Sequence, residues 1–151
     1  MSDGAPNNHD GLGSSYQLVL SRDEHRTYQL CPGALFSIHR GDMDEDYMRA
    51  LLGVLNDADA PIVTYVADVG QLGRVTNAAR RLVARHPSRM GVEGVVGRVY
   101  LVNASVFARA AGAMLVAVGR LSSRRETVLL FRKKLAEAIE EATAFARETL
   151  G

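Results

Sequence analysis

The residues able to do chemistry are few and scattered along the 151-residue chain. His9, His25, His39 and His86 fall at no H-x-H, H-x-x-x-H or H-E-x-x-H spacing, so no metal site is expected. Each histidine is read as a surface or partly buried side chain. Cys31 lies just before Pro32, and no activating base is identifiable for it, so a plain thiol is expected. Ser105 in "NASVF" lacks the G-x-S-x-G elbow and suits a helix cap better than a nucleophile. Asp44, Glu45 and Asp46 crowd together without the ligand spacing of a calcium loop. They suit a helix start, with Asp42 and Glu45 at capping-box spacing. Asp68 is the best-placed acid, since open α/β sheets put their sites at the C-terminal ends of strands. Hydrogen bonding to loop N–H groups fits it better still. No catalytic residue, metal or cofactor is expected.

One stretch could receive a ligand or a modification. "VGQLGRVTN" places Gly70 and Gly73 in a loop between a strand and a helix, with Thr76 or Asn77 as the cap. Such a loop can cradle phosphate. This one is neither G-x-G-x-x-G nor a G-K-[ST] loop, so the signal is weak.

The elements that would position these residues follow from periodicity. "YQLVL" (16–20), "RTYQL" (26–30) and "ALFSIHR" (34–40) alternate as strands. "PG" at 32–33 separates the last two, and Phe36 and Ile38 fall on the face opposite Ser37 and His39. An antiparallel meander is expected. A helix follows from about 42, with Tyr47, Leu51, Val54 and Leu55 at helical spacing. "PIVTYVADV" (61–69) reads as a strand covered on both faces. A helix over 77–86, a strand over 97–103, a helix over 105–121, a strand over 127–131 and a helix over 134–149 complete the order. The last helix carries the stripe Leu135, Ala138, Ile139, Ala142, Phe145 and Ala146.

The most apolar stretch, "LVNASVFARAAGAMLVAVGRL", is too short to span a membrane, which takes about 20 apolar residues. Arg109 and Arg120 charge both its ends. It is read as a crossover helix with a core face of Phe107, Ala110, Ala111, Met114, Leu115 and Val118. The alternation implies a mixed α/β sheet behind the meander. The other side of this helix carries Arg109, Ala113, Val116, Ala117 and Arg120, which is less charge than an exposed face usually bears. Small residues around an apolar anchor, with an arginine rim, form an association patch. A symmetric homodimer, or a protein partner docked there, is expected.

Composition sets the class. The chain is 47% hydrophobic and 23% charged, as in globular proteins. One cysteine excludes an internal disulfide and suits a reducing, cytoplasmic compartment. Residues 1–14, rich in Gly, Asn, Asp and Ser, are read as a flexible tail, and 15–151 as one domain. No basic stretch followed by an apolar one opens the sequence, so a secretory signal is not expected. The net charge of +1 divides into −7 over residues 1–68, +11 over 69–134 and −3 over 135–151.

In this order of elements the chain resembles the STAS-like domains, more closely their SpoIIAA-like branch, which is compared with lipid-transfer (CRAL-TRIO) domains. The resemblance rests on "PIVTYVADVGQL", "RVYLVNASVFARAAGAMLVAVGRL" and "TVLLFRKKLAEAIEEATAF", and covers roughly residues 16–149. It implies a STAS-like fold and a regulatory, non-enzymatic module that binds protein partners. It also implies a switch by phosphorylation of a Ser at a helix start. The matching stretch here is "GRVTN", where Thr76 is the one hydroxyl and the Asp-Ser-Ser-Gly pattern is missing. The regulatory loop would comprise Asp68, Gly70, Gly73 and Thr76. Two further functions stay open. One is carriage of a small apolar molecule such as a lipid. The other is weak polyanion or nucleic-acid binding through Arg74, Arg80, Arg81, Arg85, Arg124, Arg125, Arg132, Lys133 and Lys134, with no specific nucleic-acid recognition expected.

Overall fold

The computed structural model of the chain describes residues 16–57, 61–85, 97–106, 108–109 and 128–151. Three strands open it: β1 (Gln17–Arg22), β2 (His25–Cys31) and β3 (Ala34–Met43). They pair antiparallel as the expected meander. Asp23 (φ 49°) and Gly33 (φ 90°) supply the left-handed backbone that two tight turns need. Pro32 precedes Gly33, a pairing suited to a tight turn.

Helix α1 (Glu45–Asp57) follows β3. Its cap is Asp44, not Asp42: Asp44 Oδ1 accepts from the Tyr47 N–H at 2.8 Å. β3 runs three residues past Arg40, beyond the expected end, through Gly41 (φ 83°). That extension keeps Asp42 on the strand and out of the capping box.

The strand β4 (Thr64–Val75) pairs parallel with β3 along much of its length. Its second half overturns an expectation. Residues 70–75, expected as a Gly-rich loop, are strand, with Arg40 opposite Gln71, Gly41 opposite Leu72 and Met43 opposite Val75. Then come α2 (Asn77–Arg85), β5 (Arg98–Val102), β6 (Val128–Arg132) and α3 (Leu135–Leu150). The sheet order is β1-β2-β3-β4-β5-β6, with β3 to β6 parallel.

Successive right-handed crossovers between strands that march one way fall on one face. α1 and α2 accordingly share a face and pack together through Tyr47, Met48, Leu51, Leu52, Ala79 and Leu82. α3 covers the opposite face. Its Leu135, Ala138, Ile139 and Ala142 meet Tyr28, Phe36, Ile38, Val66, Tyr100 and Val102. Tyr28 and Phe36 stack there with centroids 4.8 Å apart. The expected α3 stripe is buried, apart from Phe145, which is half-buried beneath the Arg98 guanidinium. Among the described residues no helix is long and apolar enough to cross a membrane.

Candidate functional site

Of the expected regulatory residues, Gly73 and Thr76 lie where β4 runs into α2. Thr76 is half-buried and caps α2: its Oγ1 accepts from the Ala79 N–H at 3.2 Å. Its own N–H donates to the Met43 carbonyl at 3.0 Å, which ties the helix start to β3. Gly73 allows close approach rather than looseness. A Cβ there would run into Asp42 Oδ1 and lie 3.1 Å from the Gly41 carbonyl carbon. The same Asp42 oxygen accepts from the Arg74 N–H at 2.8 Å. Gly70 is likewise close to a neighbour, Asn103, whose Cβ would lie 3.0 Å from a Cβ at that position. Asp68 Oδ1 accepts from the Gly70 N–H at 3.1 Å. That is the structural role favoured for it from sequence. Asp68 also belongs to the α3 face, in register with Ile38 and Val102, so it does not join Thr76 in one site.

Of the expected association patch, only Arg109 is described. It is exposed, with its guanidinium 4.6 Å from the Phe131 ring centroid. Ser105 caps the turn that carries it, accepting from the Ala108 N–H at 3.1 Å. Ala113, Val116, Ala117 and Arg120 lie outside the described residues, as does most of the expected 105–121 helix.

The expected cationic set is divided. Arg74, Arg80 and Arg81 are exposed around the start of α2. Arg132 instead forms a two-pronged pair with Glu141, Nε at 2.9 Å and Nη2 at 2.8 Å. That bond holds the Glu141 carboxyl below its usual range. Arg124 and Arg125 lie outside the described residues.

Between the sheet and α1 lies a polar cluster that sequence reasoning missed. His25 and His39, expected at the surface or partly buried, are fully buried, with 1% and 2% of their area exposed. Tyr47 of α1 stacks on His25 (centroids 4.4 Å apart, planes 30° from parallel) and meets His39 edge-on at 5.5 Å. The two imidazole centroids are 5.3 Å apart. His25 Nε2 donates to the Asp42 carbonyl at 2.8 Å. Tyr65 of β4 donates its hydroxyl proton to Ser37 Oγ at 2.7 Å and lies 3.1 Å from His39 Nε2. Ser37 continues to Thr27 at 2.7 Å, and Thr27 to the Tyr47 hydroxyl at 3.3 Å. Burial pushes the Tyr47 and Tyr65 phenols above their ordinary range. Burial, and then the neighbouring His25, lowers His39 to about 3. His39, Tyr47 and Tyr65 are therefore neutral, hydrogen-bonded groups at neutral pH, and Asp42 links the cluster to the Thr76 junction. The available signal was the pairing of Ser37 with His39 on one strand face. Nothing local said that α1 would cover that face.

Among the described residues no three His, Cys, Asp or Glu side chains are grouped as metal ligands. Cys31 is half-buried, and burial raises its thiol. A buried thiol held in its protonated form is a poor nucleophile.

The arrangement of the sheet has a counterpart among solved structures. The structure of the anti-sigma factor antagonist SpoIIAA in its unphosphorylated form aligns with a TM-score of 0.53 at 15% identity, covering 85% of this chain and 97% of that one. The chain has a SpoIIAA-like fold. An uncharacterised DUF3478-family protein from Shewanella loihica PV-4, also described as SpoIIAA-like in fold, aligns with a TM-score of 0.48 at 15% identity, over 84% of this chain and 91% of that one. No protein-family model matches this chain, and no curated protein matches it significantly. Within the SpoIIAA-like sheet, the Thr76 junction and the histidine cluster sit on the α1–α2 side, joined through Asp42 and Met43.

Proposed function

We propose that this chain is a regulatory module that binds a protein partner and carries out no catalysis, with the β4–α2 junction as its switch. The observation that carries the reading is the position of Thr76. It is a half-buried hydroxyl at the N-terminus of a helix whose first turn has no acidic residue. Free N–H groups and the helix dipole favour a negative charge there. Exposed Arg74 and Arg80 add positive charge nearby. Phosphorylation of Thr76 would exchange a neutral cap for a doubly charged one and change the surface offered to a partner. The fold supports the reading, since the SpoIIAA it resembles is an anti-sigma factor antagonist with an unphosphorylated form.

The test compares wild type, Thr76→Glu and Thr76→Ser in quantitative pull-downs from the native organism. Serine keeps the capping oxygen, so Thr76→Ser should recover the wild-type partners. Thr76→Glu should change the recovery of at least one partner by about ten-fold, the effect of roughly 1.4 kcal/mol. Identical recovery by all three, with unchanged circular dichroism, would remove the junction as the switch.

A further inference from the structure

The histidine cluster has a feature that the functional reading does not use. The Asp42 carbonyl can only accept, so His25 Nε2 carries a hydrogen. Tyr65 directs its single proton to Ser37, so His39 Nε2 must be the donor toward Tyr65. The neutral form of each ring is thereby fixed in the same tautomer, with a bare Nδ1 lone pair. Neither Nδ1 has a hydrogen-bond partner among the described residues. Two imidazoles fall short of the three or four protein ligands that zinc takes. A proton is the species that the His39 lone pair can take. It would arrive beneath α1, where an added charge lacks solvation.

We propose that the His25–His39 pair is an acid-sensitive latch: protonation of His39 drives the ring and its positive charge toward water and releases α1 from the sheet. The geometry gives α1 a direct stake in the pair. Tyr47, buried on the first turn of α1, contacts both rings. α3 lies across the sheet and touches neither. Among the described residues, the titratable groups facing His39 are His25 from β2, Tyr47 from α1 and Tyr65 from β4. None of them is an acid that could neutralise an imidazolium. Arg26 and Arg40 alternate to the opposite face, where they act on Tyr28. The carboxylates at the β3–α1 corner are Asp42, Asp44, Glu45 and Asp46. Asp42 is engaged by the Arg74 N–H, Asp44 by the Tyr47 N–H and Glu45 by Arg49.

The sign follows from proton linkage. His39 binds its proton more weakly folded (about 3) than unfolded (6.5). The attachment of α1 is therefore strongest above 6.5 and weakens as pH falls toward 3. One extra proton bound in the open state corresponds to a ten-fold change in the opening equilibrium per pH unit.

Two measurements test this. Hydrogen exchange across about pH 7 to 4, corrected for intrinsic rates, should show α1 protection falling up to ten-fold per pH unit ahead of α3. His39→Gln keeps an N–H donor toward Tyr65 and cannot titrate, so it should flatten that response. The corner carboxylates are common to both proteins, so the difference isolates His39. Simultaneous loss of protection in α1 and α3, or an unchanged response in His39→Gln, would overturn the proposal. If the variant does not fold, ring ¹⁵N shifts of the wild type decide. His39 should be the Nε2–H tautomer at neutral pH, and its protonation should coincide with α1 amide shifts. A different tautomer, or protonation with α1 undisturbed, would equally sink the latch. None of these readouts involves the partner or Thr76, so the latch stands or fails separately from the functional reading.

Discussion

Tyr65 shows how much one buried oxygen can organise. Its hydroxyl serves both Ser37 and His39, so Tyr65→Phe leaves buried His39 Nε2 without a partner and leaves Ser37 only its bond to Thr27. A loss of about 1–3 kcal/mol is expected in urea unfolding, with the m-value unchanged. Gly73→Ala should destabilise by a different route, because the new methyl meets backbone at Gly41 as well as the Asp42 carboxylate. About 1–3 kcal/mol is expected, as for overpacking elsewhere, read as a lower melting temperature. His39 gives the pH dependence. Its contribution to stability is complete above its unfolded value of 6.5 and declines toward about 3. The steepest slope is about 1.4 kcal/mol per pH unit. Urea midpoints of wild type and His39→Gln at several pH values would show the difference directly.

Helix α3 meets its face of the sheet through alanine. Ala138 and Ala142 are fully buried against the aromatic core, which lets the helix backbone lie close. Ala142→Leu should therefore cost about 1–3 kcal/mol, whereas the same change at exposed Glu140 should be nearly neutral. Thermal unfolding of the two variants makes the comparison. The periodicity of α3 was legible in the sequence because one face of it is apolar and the other is not, whereas in β1 a bulge between Leu18 and Leu20 turns Leu20 to the α1 side while Tyr16 stays on the α3 side. The 70–75 stretch was illegible for the opposite reason. Two glycines ordinarily mark a loop, but Gly73 is there because β3 comes too close for a side chain. The histidine cluster escaped for a third reason. Alternation says which residues share a strand face, and it does not say whether a helix will cover that face. Asp44 and Asp42 were exchanged as caps because both have suitable side chains, and only the length of β3 decides between them.

Across the whole molecule, the positive charge of the middle third does not form a single surface among the described residues, since Arg132 is tied to Glu141 while Arg74, Arg80 and Arg81 lie around α2. Any duplex or single-strand binding should be weak and lost by physiological salt, checked by titrating labelled oligonucleotides at two salt concentrations. The expected self-association through 109–120 remains a proposal. Light scattering of wild type and Val116→Glu should find a dimer that the mutation dissociates. Spatial order in the sheet is chain order, β1 through β6, so each strand made by the ribosome finds its neighbour already present. Assembly can then proceed from one edge, with its longest closures between β4 and β5 and between β5 and β6. The face bearing stacked Tyr28 and Phe36 gains its cover only when α3 has been synthesised, after every strand it covers. A nascent chain halted at β6 would therefore carry a nearly complete sheet with one greasy side open to water. That is the state in which this protein would most need a chaperone.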